Sequence, residues 1–243
     1  MKSRRIGIMQ PALIPWGGFF SLAMNVDLLV ILDVVNFSKG GAQNRFFMNH
    51  KGQKVTYTVP VYHKHVDSKL IKDIEIRTDK YPKNLVSRLR IDFPAKKIIN
   101  HEVLENIIQI INYKYTKLVQ LNVSLIKESL RSLGIQVEMI MASSLENSDT
   151  MYETPVDRLI DILEITSGTD YIMPSRSLDY AQPLINKFWN KGCKTYSISY
   201  EQKEYPSNTN FIPNLSVLDL MLHADKSEWL SLIQASSTLR QIK

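Results

Sequence analysis

Short apolar runs, separated by polar breaks marked with glycine and proline, set the pattern of this chain. Ile6 to Met9 and Leu28 to Leu32 are continuously apolar, as in strands covered on both faces. Between them Gln10-Pro11, Pro15 and Gly17-Gly18 punctuate a loop that feeds a helix from about Phe19 to Asn25. A connection of that length between two buried strands predicts a right-handed βαβ unit. Val55 to Val61 alternates as a strand or hairpin arm around the turn-like Asn49-His50-Lys51-Gly52, and Leu70 to Ile76 alternates as a further strand. Tyr81-Pro82 starts a helix to about Ile91, which Phe93-Pro94 closes.

The longest helical pattern runs from about His101 to Leu133, as one helix or as two with a break near Tyr113 to Thr116, and Gly134 is the expected C-cap. The second half alternates strand and helix. Gln136 to Met141, Asp170 to Met173 and Lys194 to Ser199 read as strands. Thr154-Pro155-x-Asp157 opens a helix to about Thr166, with Thr154 at the N-cap and Asp157 at the capping-box position. Leu178 to Asn190, Leu215 to His223 and Lys226 to Gln234 read as helices. The whole predicts an α/β fold, a mostly parallel sheet with helices on both faces. The expected organisation is a single domain over residues 1–243, with a mainly helical insertion at about 80–135.

Composition narrows the function classes. The chain has 243 residues, is 44% apolar, and carries 30 Lys+Arg against 24 Asp+Glu, a net charge of +6. That excess is spread along the chain, whereas nucleic-acid binders concentrate it on one face, so no nucleic-acid partner is expected. It suits attraction of an anionic small molecule. No run approaches the ~20 apolar residues of a membrane span. Met1 to Arg5 leads straight into the first strand without a secretory core, and Cys193 is the single cysteine, so a cytoplasmic location is expected.

The carboxyl ends of the first two strands are where an open α/β sheet binds ligands. In the loop from Gln10 and Pro11 to Gly18, Gly17 and Gly18 would let backbone approach a phosphate or carboxylate, and Trp16 would stack on a ring. The alternative is a buried turn in which Trp16 plugs the core. Asp33 ends a buried strand, where a carboxylate needs either a partner or a chemical role. It could act as a general base, hold a sugar hydroxyl, or pair with Arg45. Arg45, beside Asn44, could clamp a phosphate bidentately. Ser143, Ser144 and Arg158 could form a second anion pocket, or serve as caps and a surface ion pair. Ser175, Arg176 and Tyr180 sit in and after a third loop at a strand end. His63 and His65 share one strand face but lack a third ligand, so no metal is expected, and His63 is a candidate acid or base.

A family resemblance gathers many of these residues. Met9-Gln10-Pro11, Pro15 to Phe20, Asp27 and the strand ending at Asp33 resemble the opening signature of the WbqC-like family. Asn44-Arg45 and Thr56 to Val61 are similar to its next motifs, and Ser143-Ser144, Asp157 to Ile160, Tyr171 to Tyr180 and Phe211 to Asp219 to its later ones. The resemblance implies a protein of bacterial surface-polysaccharide (O-antigen-type) gene clusters. The reaction implied is transfer of an acyl or aminoacyl group to a nucleotide-linked amino sugar. It also places Asp219 at the site. The layout resembles the nucleotidyltransferase-like (HUP-type) fold, whose first loop carries two histidines in related enzymes; Pro15 to Gly18 offers none. The family usually has two adjacent acids where this chain has Asp33-Val34, and Ser-Gly where it has Pro174-Ser175-Arg176. The expected partner is therefore a nucleotide-linked sugar. No cofactor is firmly expected, ATP or an acyl or aminoacyl donor being the options. A non-catalytic nucleotide-sugar-binding or assembly protein, and an adenylate-forming enzyme, are the alternatives.

Overall fold

The computed structural model describes residues 3–62, 68–145, 152, 154–206 and 210–242. Six strands form one sheet: β1 (Arg5–Met9), β2 (Leu28–Ile31), β5 (Glu138–Met141), β6 (Asp170–Pro174), β7 (Lys194–Tyr200) and β8 (Ser237–Gln241). Their order is β5-β2-β1-β6-β7-β8, and only β8 runs antiparallel to its neighbour. A hairpin of β3 (Arg45–His50) and β4 (Gln53–Thr58) stands apart as its own two-stranded sheet.

All four residues of β2 are buried, as its unbroken apolar run requires of a strand covered on both faces. Helix α1 (Gly17–Ala23) carries β1 to β2, which pairs from Ile6–Leu28 to Met9–Ile31. Helix α4 (Leu118–Leu133) precedes β5 and packs on the same face as α1, in the core built around Phe19, Leu22 and Leu125. Helices α5 (Pro155–Ile165) and α6 (Leu178–Asn190) cover the other face around Leu28, Leu163 and Phe188. The chain thus winds outward from β1 to β5, crosses, and winds the opposite way through β6 and β7. Right-handed crossovers then place α1 and α6 on opposite faces. The direction reverses between β1 and β6, so the loops after these strands diverge and leave a crevice.

The region after the hairpin holds α2 (Lys83–Asp92) and α3 (His101–Asn112) before α4. The long helical pattern is two helices. The break falls at Tyr113, whose extended backbone ends α3, and Gly134 caps α4 with a left-handed φ of 71°. Thr154 and Asp157 form the expected capping box. Leu70 to Ile76 is not a ladder strand. Ile71–Asp73 is a 3-10 turn, and its neighbours make isolated bridges to Asn36, Val61 and Lys117. Helices α7 (Val217–His223) and α8 (Trp229–Ala235) close the core, Trp229 and Ile233 packing with α1.

Candidate functional site

Two cavities meet at the crevice. One, of about 340 Å³, runs from Gln10 at the end of β1 past Leu32 and Gln43 to Met173 and Ser177. The other, of about 470 Å³, lies between the Leu13–Gly18 loop, the β3–β4 hairpin, Ser175-Arg176 and Tyr200. Ala12, Trp16, Ala42 and Pro174 line both, so Trp16 stands at their junction. Each is within the range of small-molecule sites. A larger groove of about 820 Å³ runs past Val26, Asp27 and Gly134 to Met139. It faces the amino ends of β2 and β5, away from the diverging loops.

The loops around Trp16 are fastened by backbone bonds of the kind any buried loop needs. Leu13 N donates to Ala42 O (2.9 Å), Ser216 N to Phe47 O (2.9 Å) and Val217 N to Pro15 O (2.8 Å). Ser216 Oγ donates to Ile14 O at 2.9 Å and accepts from Leu218 N, capping α7. Ile14 is held at φ 43°, a conformation costly for a β-branched residue, and it lines the larger cavity. Asn122 of α4, fully buried, donates from one amide to Pro11 O (2.9 Å) and to Gln43 O (2.7 Å). That side chain ties α4 to both loops. Asn122→Ala strands two carbonyls, and is expected to cost about 2 kcal/mol in urea unfolding.

The larger cavity is cationic. Arg45, Lys54 and Arg176 line it, and no carboxylate among the described residues does. Arg45 and Phe47 share one face of β3. Arg45 makes no ion pair among the described residues, and its Nε is buried without a hydrogen-bond partner. Lys54 Nζ lies 4.3 Å from the Phe47 ring centroid. Gln43 Nε2 donates to Gln10 Oε1 at 2.7 Å on the wall of the smaller cavity, while Gln43 Oε1 is buried and unpartnered. Burial pushes the Tyr200 phenol up to about 12, so it stays neutral at ordinary pH.

The remaining predicted residues fall in several places. Gly17 and Gly18 are buried, and side chains cover the surfaces they leave open: a Cβ on Gly17 would lie 2.0 Å from Tyr200 Oη, and one on Gly18 2.3 Å from Trp16 Nε1. A side chain at either position would collide with these neighbours, and Gly18 itself lines the larger cavity. Asp33 does not meet Arg45. It is 1% exposed, and its two carboxylate oxygens accept from Ser143 N (2.9 Å) and Ser143 Oγ (2.6 Å), which locks β2 to the turn after β5. Ser144 donates to Met141 O, Pro11 gives its carbonyl to Asn122, and Asn44 donates to Val59 O; none of the three lines either of the two cavities around Trp16. Arg158 stacks on the Tyr152 ring at 4.8 Å, outside both cavities. Ser175 and Arg176 do line the larger one. Tyr180 falls on α6, its side chain outside the described residues, as are His63 and His65 entirely. Asp219 is buried on α7, away from both cavities. Burial and Asp170 push the Cys193 thiol up, against a reactive thiolate.

The comparisons with known proteins bear on the same loops. The model of the WbqC-like protein family matches residues 10–229. The chain belongs to that family. No curated protein and no solved structure matches it. The family match spans the Gln10–Gly18 loop, the hairpin, the Ser175-Arg176 turn and Ser216. Lys54, Gln43 and Tyr200 were not singled out in the sequence. Lys54 and Tyr200 come from strands remote in sequence from the first loop, and only the lysine beside the predicted turn gave a signal.

Proposed function

We propose that this WbqC-like protein acts in bacterial surface-polysaccharide biosynthesis, binding a nucleotide-linked amino sugar and transferring an acyl or aminoacyl group to its amine. The observation that carries this is the paired cavity. A cleft with Arg45, Lys54 and Arg176 suits a diphosphate, and the adjoining apolar and amide-lined cavity suits a ring, with Trp16 between them. The unpartnered Nε of Arg45 supports an anion there, since an oxyanion would satisfy it. An activated acyl donor such as a thioester would supply the electrophilic carbon: the amine forms the C–N bond, the C–S bond breaks, and the thiol leaves with the proton the amine gives up. The protein's part is to align the amine with it, a positioning effect that can be large without any acid or base.

A second reading, a binding protein without turnover, is favoured by one observation. Among the described residues no carboxylate or imidazole lines either cavity, and Asp33, the candidate base, is occupied by Ser143.

A thermal-shift panel of ATP, CTP, UDP-sugars and dTDP-amino sugars tests the site. A ligand at 100 times its dissociation constant stabilises by about 2.7 kcal/mol. The expected result is a shift with one sugar nucleotide that Arg45→Ala abolishes. A flat panel overturns the reading. A shift without product, when the bound sugar is offered an acyl or aminoacyl thioester, selects the binding protein.

A further inference from the structure

A separate cavity of about 340 Å³ opens at the far end of the β3–β4 hairpin, between the turn, the end of α2 and the end of α7. Phe93 and Ile98 form its apolar wall, His50 and His223 are half-buried within it, and the exposed Lys51 and Lys97 stand at its rim. None of these residues lines the two cavities around Trp16.

The two imidazoles are oriented by the fold. His223 Nδ1 lies 2.8 Å from the carbonyl oxygen of Asp219 one turn earlier in α7. A carbonyl only accepts, so Nδ1 carries the proton. Nε2 is left without a hydrogen bond among the described residues. His50 Nε2 lies 3.9 Å from Asp92 Oδ1, and both rings stand edge-on or tilted to Phe93 at 6.2 Å. Among the described residues Asp92 is the one carboxylate of the lining, and it is already engaged: Tyr57 Oη donates to it at 2.5 Å, and Arg88 Nε lies 3.4 Å away. Two imidazoles therefore face a carboxylate that is already engaged.

We propose that this cavity is a second ligand site, taking a small organic anion whose carboxylate or phosphate head meets the His50 and His223 imidazoles and whose apolar body lies on Phe93 and Ile98. The site does not depend on the function assigned to the cavities around Trp16. Its occupancy rises as pH falls. Burial opposes the charged form of His223, but the hydrogen bonds and charge of Asp219 outweigh it, and the net effect raises the His223 pKa above its ordinary value. Behind the imidazole stand Asp219 and Tyr205; across from it are Asp92, Arg88, Tyr57 and His50; Lys51 and Lys97 lie above. Among these, His223 is the group whose raised pKa brings its charge change toward neutrality.

Benzoate and phenyl phosphate are the probes, with acetate and orthophosphate as controls lacking the apolar body, measured by calorimetry and protein-observed NMR. Both aromatic anions should bind the wild type more tightly than their controls. Lys51→Glu combined with Lys97→Glu, two exposed positions, should weaken them about tenfold or more, a difference of about 1.4 kcal/mol. His223→Gln should weaken them similarly, and Arg45→Ala should leave the NMR shifts that benzoate induces around His50 and Phe93 unchanged. Benzoate, ionised throughout, should bind less tightly at about pH 8.5 than at about pH 6. The proposal is overturned if neither aromatic anion binds, or if either binds no better than its control. It is also overturned if the rim reversal or the pH change has no effect, or if Arg45→Ala removes binding.

Discussion

Asp219→Ala should cost about 3–5 kcal/mol, since it leaves buried polar partners uncompensated. Asp219 is 1% exposed, and three elements converge on it. Asn49 N of β3 donates to Oδ1 at 2.6 Å, Tyr205 Oη donates to Oδ2 at 2.6 Å, and His223 Nδ1 stands 3.7 Å from Oδ2. Alanine removes all three at once and leaves the Asn49 amide and the Tyr205 hydroxyl without their acceptor. The pH dependence has a definite sign. The folded-state pKa of His223 is raised above its ordinary 6.5, so protonation of His223 contributes stability that is fully present below that value. The contribution is lost as pH rises through the higher folded value. In the variant the counter-charge is gone, and burial opposes the charged ring with only the backbone carbonyl of residue 219 left to favour it. The stability gap between wild type and variant should therefore be largest below pH 6.5 and narrow above it. Urea unfolding of both proteins on either side of neutrality checks this. A gap that widened toward alkaline pH would show that His223 draws no stability from Asp219.

The same residue shows how far sequence carries. The Phe211-to-Asp219 motif is legible, and its family resemblance drew Asp219 toward the site. The structure gives it a clamp between hairpin and helix. Asp33 repeats the lesson: a carboxylate at the end of a buried strand needs a partner, and Ser143, 110 residues away, supplies it. Which partner satisfies a buried acid depends on tertiary contact, and no local pattern encodes it. The sheet was readable because β1, β2 and β6 carry short apolar runs that are buried between the two helical layers. Strand β8 was not, because Ser-Thr-Leu-Arg-Gln lies on the sheet edge, mostly open to solvent, with no hydrophobic alternation to give it away. Leu70 to Ile76 misled for the opposite reason. Ile71, Ile74 and Ile76 are all buried, yet the segment lies across several loops rather than along one strand, so burial alternates without a ladder. In the candidate site, the Trp16 loop, Arg45 and Ser175-Arg176 were visible as turn chemistry and charge at strand ends. The fastener Asn122 was not, its role resting on carbonyls far away in sequence.

Gly17→Ala carries the second large effect, and it bears directly on the wall of the larger cavity. In a helix, alanine is ordinarily better than glycine by about 1 kcal/mol. Here the sign should reverse. The new Cβ would lie 2.0 Å from Tyr200 Oη and 2.5 Å from Cζ, and the tyrosine ring cannot give way without leaving its packed position. Overpacking of this kind costs about 2–3 kcal/mol. The Tyr200 phenol is neutral at ordinary pH, so the penalty should not vary across the range in which Asp219→Ala does. The three nearest atoms to the added methyl all belong to Tyr200. In a Tyr200→Ala background, Gly17→Ala should therefore become neutral or stabilising, and a double-mutant cycle should return a coupling of about 2 kcal/mol or more. Additive single effects would mean that the backbone at Gly17, and not the ring above it, forbids a side chain. Tyr200 lines the cavity that holds Arg45 and Arg176. A ring displaced by the methyl moves into that space, so Gly17→Ala should also weaken whatever sugar nucleotide gives the Arg45-dependent thermal shift. Occupation of the glycine surface by Tyr200 thus links the packing of α1 to the shape of the site.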